Sequence, residues 1–95
     1  MTLLENTYRQ LRNAGLVHCA EAFSKNYLGK NSNWYAYQKH AGRDYSITAA
    51  IQCLRNLRSQ LRDQTHSDEQ CTALLQLERE LLIYLRTWHR IADVC

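Results

Sequence analysis

Residues 67–93 read SDEQCTALLQLERELLIYLRTWHRIAD. Ser67 and Gln70 have the spacing of a capping box, in which each side chain satisfies the other's backbone N–H. Asp68 and Glu69 place negative charge in the first turn, where the helix dipole favours it. Cys71, Leu74, Leu75, Leu81, Leu82, Leu85, Trp88 and Ala92 then recur at three- and four-residue steps. The spacing predicts a helix over 68–93, roughly 39 Å long at 1.5 Å per residue. Leu77 and Ile83 fall off the main stripe, so the apolar surface is broad, as in a helix buried from two sides.

Upstream of this stretch, Ser46 is a candidate cap. Ile47, Ala50, Ile51, Leu54, Leu57 and Leu61 follow at helical spacing, with Arg58 in the slot where that stripe would continue. A helix is predicted over 47–63. Gln64, Thr65 and His66 leave only a short turn, so the last two helices form an antiparallel hairpin. Nearer the start, Leu3, Leu4, Tyr8 and Leu11 predict a helix over 3–14, with Arg9 and Arg12 elsewhere on its wheel. Gly15 offers it a left-handed C-cap, with Leu16 as the apolar partner. Val17, Ala20, Phe23, Tyr27 and Leu28 predict a second helix over 17–28 that ends at Gly29. Ser32 is placed to cap a third, over 33–41, that stops near Gly42. Proline is absent, and the only three glycines are these helix stops. The expected fold is all-α: a compact bundle of about five helices in one domain, residues 1–95. A tri-helical unit over 1–46 precedes a long helical hairpin over 47–95.

Composition narrows the function. Apolar residues are 45% and charged residues 22% of the 95, an ordinary globular balance. No apolar run approaches the roughly 20 residues that span a bilayer, and no cleaved secretory signal is expected. The expected location is cytoplasmic, without a membrane. Cys19, Cys53, Cys71 and Cys95 lie 34, 18 and 24 residues apart, without the close pairs that zinc sites use. Three of them fall in helical patterns, and in a reducing compartment they read as packing residues rather than disulfides. His18, His40, His66 and His89 have no carboxylate or nucleophile at a catalytic spacing. Glu78 and Glu80, two apart on one helix, face different ways. His89 reads as a helix C-terminal residue favoured by the dipole. No enzyme activity, cofactor or metal is expected.

Charge is uneven along the chain. Residues 1–62 hold nine Lys/Arg and three Asp/Glu, a net +6, whereas residues 63–95 hold three and six, a net −3. A basic half suits a nucleic-acid-facing end. Within it, residues 22–37 read AFSKNYLGKNSNWYAY. A helix ending in Leu28-Gly29, a polar turn, and a short helix opening on Ser/Asn and aromatics resemble the helix-turn-helix of small bacterial and phage repressors. Gly42-Arg43-Asp44-Tyr45-Ser46 resembles the segment that follows their recognition helix. The resemblance covers about residues 18–46. It implies a third helix in the major groove of double-stranded DNA. Asn31, Ser32, Asn33, Gln38 and Lys39 would meet base edges, and Lys25, Lys30 and Arg43 the backbone. The chain departs from that family at three positions: Lys25 where a small residue is usual, and Lys30 and Gln38 where apolar residues are usual.

Two further readings compete with a DNA-binding regulator. One is a non-enzymatic interaction module, an adaptor or inhibitor that binds a protein through Trp34, Tyr35 and Tyr37; the other is a purely structural bundle. If Tyr35 faces the core, Trp34 and Tyr37 are left largely exposed. The broad apolar surface of residues 47–93 also suits a homodimer.

Overall fold

A computed structural model describes residues 2–63 and 65–88. Helix α1 spans Leu3–Asn13. Its start is a capping box the sequence reading missed: Thr2 Oγ1 accepts from Glu5 N–H, and the Glu5 carboxylate accepts from Thr2 N–H. Its end is the predicted one. Gly15 has φ +75°, Leu16 N–H donates to Leu11 O, and Gly15 N–H donates to Arg12 O. This bonding satisfies carbonyls that a helix terminus otherwise leaves open.

The second helix starts three residues later than expected. Leu16–Cys19 form an irregular connection that buries Val17, and Cys19 has an extended backbone just before the first turn. Cys19 is therefore exposed rather than packed. Helix α2 comprises Ala20–Ala22 and a π-helical continuation, Phe23–Tyr27. The wider turn is closed by Leu28 N–H to Phe23 O, five residues back, and ends at Gly29 with φ +65°.

Helix α3 is Trp34–His40. The expected cap, Ser32, is not used. Asn33 holds the cap position, and Asn31 Oδ1 accepts from its N–H. The first turn is instead satisfied from α2, where buried Ser24 Oγ accepts from Tyr35 N–H at 3.0 Å. Gly42 closes α3 as Gly15 closes α1, with Arg43 N–H donating to Gln38 O.

Helices α4, Ile47–Arg62, and α5, Asp68–Trp88, form the antiparallel hairpin. Ser46 caps α4, and Ser67 and Gln70 make the reciprocal box that starts α5. The buried stripe of α5 is Leu74, Leu77, Leu81 and Leu85, so Leu77 belongs to the core. Leu75 and Ile83 are the exposed ones, at 55% and 56%. Adjacent leucines at 74–75 and 81–82 left the phase of the stripe open by one residue. Against it α4 buries Ala49, Ala50, Cys53, Leu54 and Leu57. Arg58, in its predicted slot, donates from Nε to Glu78 Oε2 at 2.8 Å. The expected continuation of α5 to 93, with His89 and Ala92, lies outside the described residues, as does Cys95.

The first three helices are tied to this hairpin by polar bonds between distant residues. α1 lies against α5, and α2 against α3 and α4. Gln70 Nε2 donates to Ala14 O at the end of α1, and Asn56 Nδ2 donates to Tyr27 O at the end of α2. The Tyr84 hydroxyl donates to Tyr45 O. The described residues hold five helices and no strand.

Candidate functional site

Tyr35 decides which face of α3 is buried. It is 3% exposed and packs edge-on against Phe23, with ring centroids 5.2 Å apart. Trp34 is then half-buried and Tyr37 is 64% exposed. Gln38 follows Tyr35 inward. It is 8% exposed and donates its amide to Asp44 O, so it is no base-contacting residue. An amide here replaces an apolar anchor because the carbonyl of the following loop is within reach and would otherwise stay unpaired.

The other candidates divide between two places. Asn31, Ser32, Asn33, Trp34 and Tyr37 line one shallow depression of about 340 Å³ at the N-terminal end of α3. Lys39 opens on the other side, into a groove between α1 and α3 that it shares with Tyr8, Arg9, Arg12, Asn13 and Tyr35. Lys25 and Arg43 are exposed. Lys30 is partly committed to the fold, because Nζ donates to Thr48 Oγ1 at 3.1 Å and stands 5.8 Å from the centre of the Trp34 ring. The π turn accounts for Lys25. It shifts the register so that Ser24 is the small residue facing α3 and Lys25 points to solvent. The link between α2 and α3 occupies residues 28–33, longer than the three or four residues of a tight helix-turn-helix.

Asp44 shapes the local charge. Its Oδ2 accepts from Leu3 N–H, and its Oδ1 accepts from Leu4 N–H and Tyr45 N–H, at 2.8–3.1 Å. It is the only carboxylate between Glu21 and Asp63, a span with seven Lys/Arg. With that carboxylate turned onto the α1 terminus, the acids left beside the cations of α2 and α3 are Glu21, on α2 itself, and Glu5, in the groove with Lys39. The sequence shows the scarcity of acids, but not where the one acid points.

A model for a family of unknown function, DUF6626, matches residues 4–93. The chain belongs to the DUF6626 family. The match runs from the first turn of α1 past the end of the described part of α5, so in DUF6626 the tri-helical unit and the hairpin go together. No curated protein and no solved structure matches the chain.

Proposed function

We propose that this protein is a small cytoplasmic regulator that binds double-stranded DNA through α3 and the basic residues around it. The observation that carries the reading is the charge: over residues 22–62 there are six Lys/Arg besides Arg58, which pairs with Glu78, against one carboxylate, Asp44, which is held by three backbone N–H groups. Phosphate neutralisation by such cations supplies most non-specific affinity for a duplex. Asn31, Ser32 and Asn33, gathered in one depression, supply donors and acceptors for base edges, and Lys25, Lys39 and Arg43 supply backbone contacts.

Fluorescence anisotropy against a mixed pool of short duplexes tests this. Binding weakens by about tenfold or more between about 50 and 200 mM salt for every two to three phosphates contacted. Changing Lys39 and Arg43 together to Ala lowers the log–log salt slope by about two. Asn33→Ala relaxes sequence preference with little change in that slope. Absence of binding at about 50 mM salt would overturn the reading.

The exposed Tyr37 beside Trp34 favours a second reading, a protein-docking patch. Exposed aromatics anchor protein interfaces more than they serve phosphate contact. Tyr37→Ala separates the two: it abolishes capture of a protein partner but leaves the salt slope on DNA unchanged.

A further inference from the structure

The groove between α1 and α3 has features that duplex binding does not require. Two overlapping cavities of about 320 and 480 Å³ share Tyr8, Arg12, Tyr35 and Lys39. Such volumes are at the lower end of small-molecule sites. The floor of the groove is aromatic. Tyr8 and Tyr35 meet at a tilt, with centroids 4.8 Å apart, and Phe23 packs against both rings. Its rim is cationic: Arg9 and Arg12 from α1 and Lys39 from α3, against one carboxylate, Glu5.

Tyr35 is the informative residue. Its ring belongs to the core, it lines both cavities, and its hydroxyl is open to solvent, with no hydrogen-bond partner among the described residues. Burial, then Glu5 and Tyr8, push the phenol up to about 12, so it stays protonated and can donate. Glu5 itself is held in the capping box with Thr2.

We propose that this groove binds a planar aromatic ligand carrying a phosphate, of mononucleotide size. The ring lies on Tyr8, the phosphate is taken by Arg9, Arg12 and Lys39, and the Tyr35 hydroxyl donates to an oxygen of the ligand. Guanidinium groups suit the phosphate because they can bind it in bidentate fashion. The site does not depend on DNA binding, although Lys39 would serve both.

The test is titration of the ¹⁵N-labelled full chain with adenosine 5′-monophosphate and, separately, inorganic phosphate, without DNA. The nucleotide produces saturable amide shifts confined to Arg9, Arg12, Asn13, Tyr35, Lys39 and their neighbours. Phosphate alone binds at least about fivefold more weakly, since it cannot use the aromatic floor. Arg12→Gln with Lys39→Gln weakens the nucleotide by about tenfold or more, and Tyr35→Phe, which keeps the ring, by about threefold to tenfold. Arg55→Gln with Arg62→Gln, an equal loss of charge elsewhere, changes it less than about twofold. Shifts that do not saturate, nucleotide binding no tighter than phosphate, or a double variant that binds like the parent would overturn the proposal. Loss of duplex binding with nucleotide binding intact would overturn only the DNA reading.

Discussion

Asp44 is where a single side chain does most for the fold. One carboxylate satisfies two of the N–H groups that the start of α1 leaves open, and its own loop besides. Asp44→Ala is expected to destabilise the protein by about 1–2 kcal/mol, measured by urea unfolding. None of this could be read from the sequence, because the partners lie 40 and 41 residues away. Ser46, by contrast, caps a helix that begins at the next residue, and local bonds of that kind are legible. The buried pair Tyr45 and Cys53 sets a pH limit. The hydroxyl and thiol are 3.6 Å apart, and burial raises both groups, Cys53 to about 12. A raised folded pKa means that the folded state holds the proton longer than the unfolded chain, whose thiol titrates near 9.0. The stability this pair contributes is therefore level below about pH 8 and is lost as pH rises through roughly 9 to 12. Cys53→Ala is less stable at neutral pH and shows a shallower alkaline decline; an unchanged decline in urea midpoints would contradict this.

Among the elements, α2 departs furthest from what spacing predicts. Its apolar positions could be read, but the π turn could not, because no residue type signals one extra residue in a turn. The Ser24–Tyr35 contact depends on it, and through that contact so does the exposed face of α3. Ser24→Ala is expected to cost about 1–2 kcal/mol by leaving Tyr35 N–H unpaired. Gly29 and Gly42 both have positive φ, so alanine at either costs about 1 kcal/mol or more. They differ in surroundings. A Cβ at Gly29 would lie 3.0 Å from Gln52 Cγ, whereas one at Gly42 meets nothing within 4 Å. Gly29→Ala should therefore lower the thermal midpoint more than Gly42→Ala, and equal losses would show that Gln52 moves aside freely. The ends of α1, α4 and α5 were legible because glycine and capping motifs act within one turn. The phase of α5 was not, since neighbouring leucines offer two stripes one residue apart.

At the scale of the whole molecule, the outer face of α5 leaves two large apolar residues open among the described residues. Leu75 and Ile83 stand on it with Thr72, Gln76, Arg79 and Glu80 between and beside them. The homodimer expected from the sequence would use this face. Light scattering at tens of micromolar is then expected to give twice 11.2 kDa, and Leu75→Glu to return the monomer mass with unfolding stability changed by less than about 0.5 kcal/mol. A monomeric parent protein would remove the dimer. The fold class and the basic half were legible because both follow from composition and period. The groove between α1 and α3 was not: Arg9 and Arg12 could be seen to lie off the apolar stripe, but what they face depends on packing between helices. The tie between α1 and the rest bears on biosynthesis. The carboxylate that finishes the first turn of α1 is made 41 residues after Leu3, and the amide of Gln70 that closes its far end comes 56 residues after Ala14. A nascent chain therefore holds the first helix by its local caps alone, and gains these two distant bonds only when most of the message has been translated.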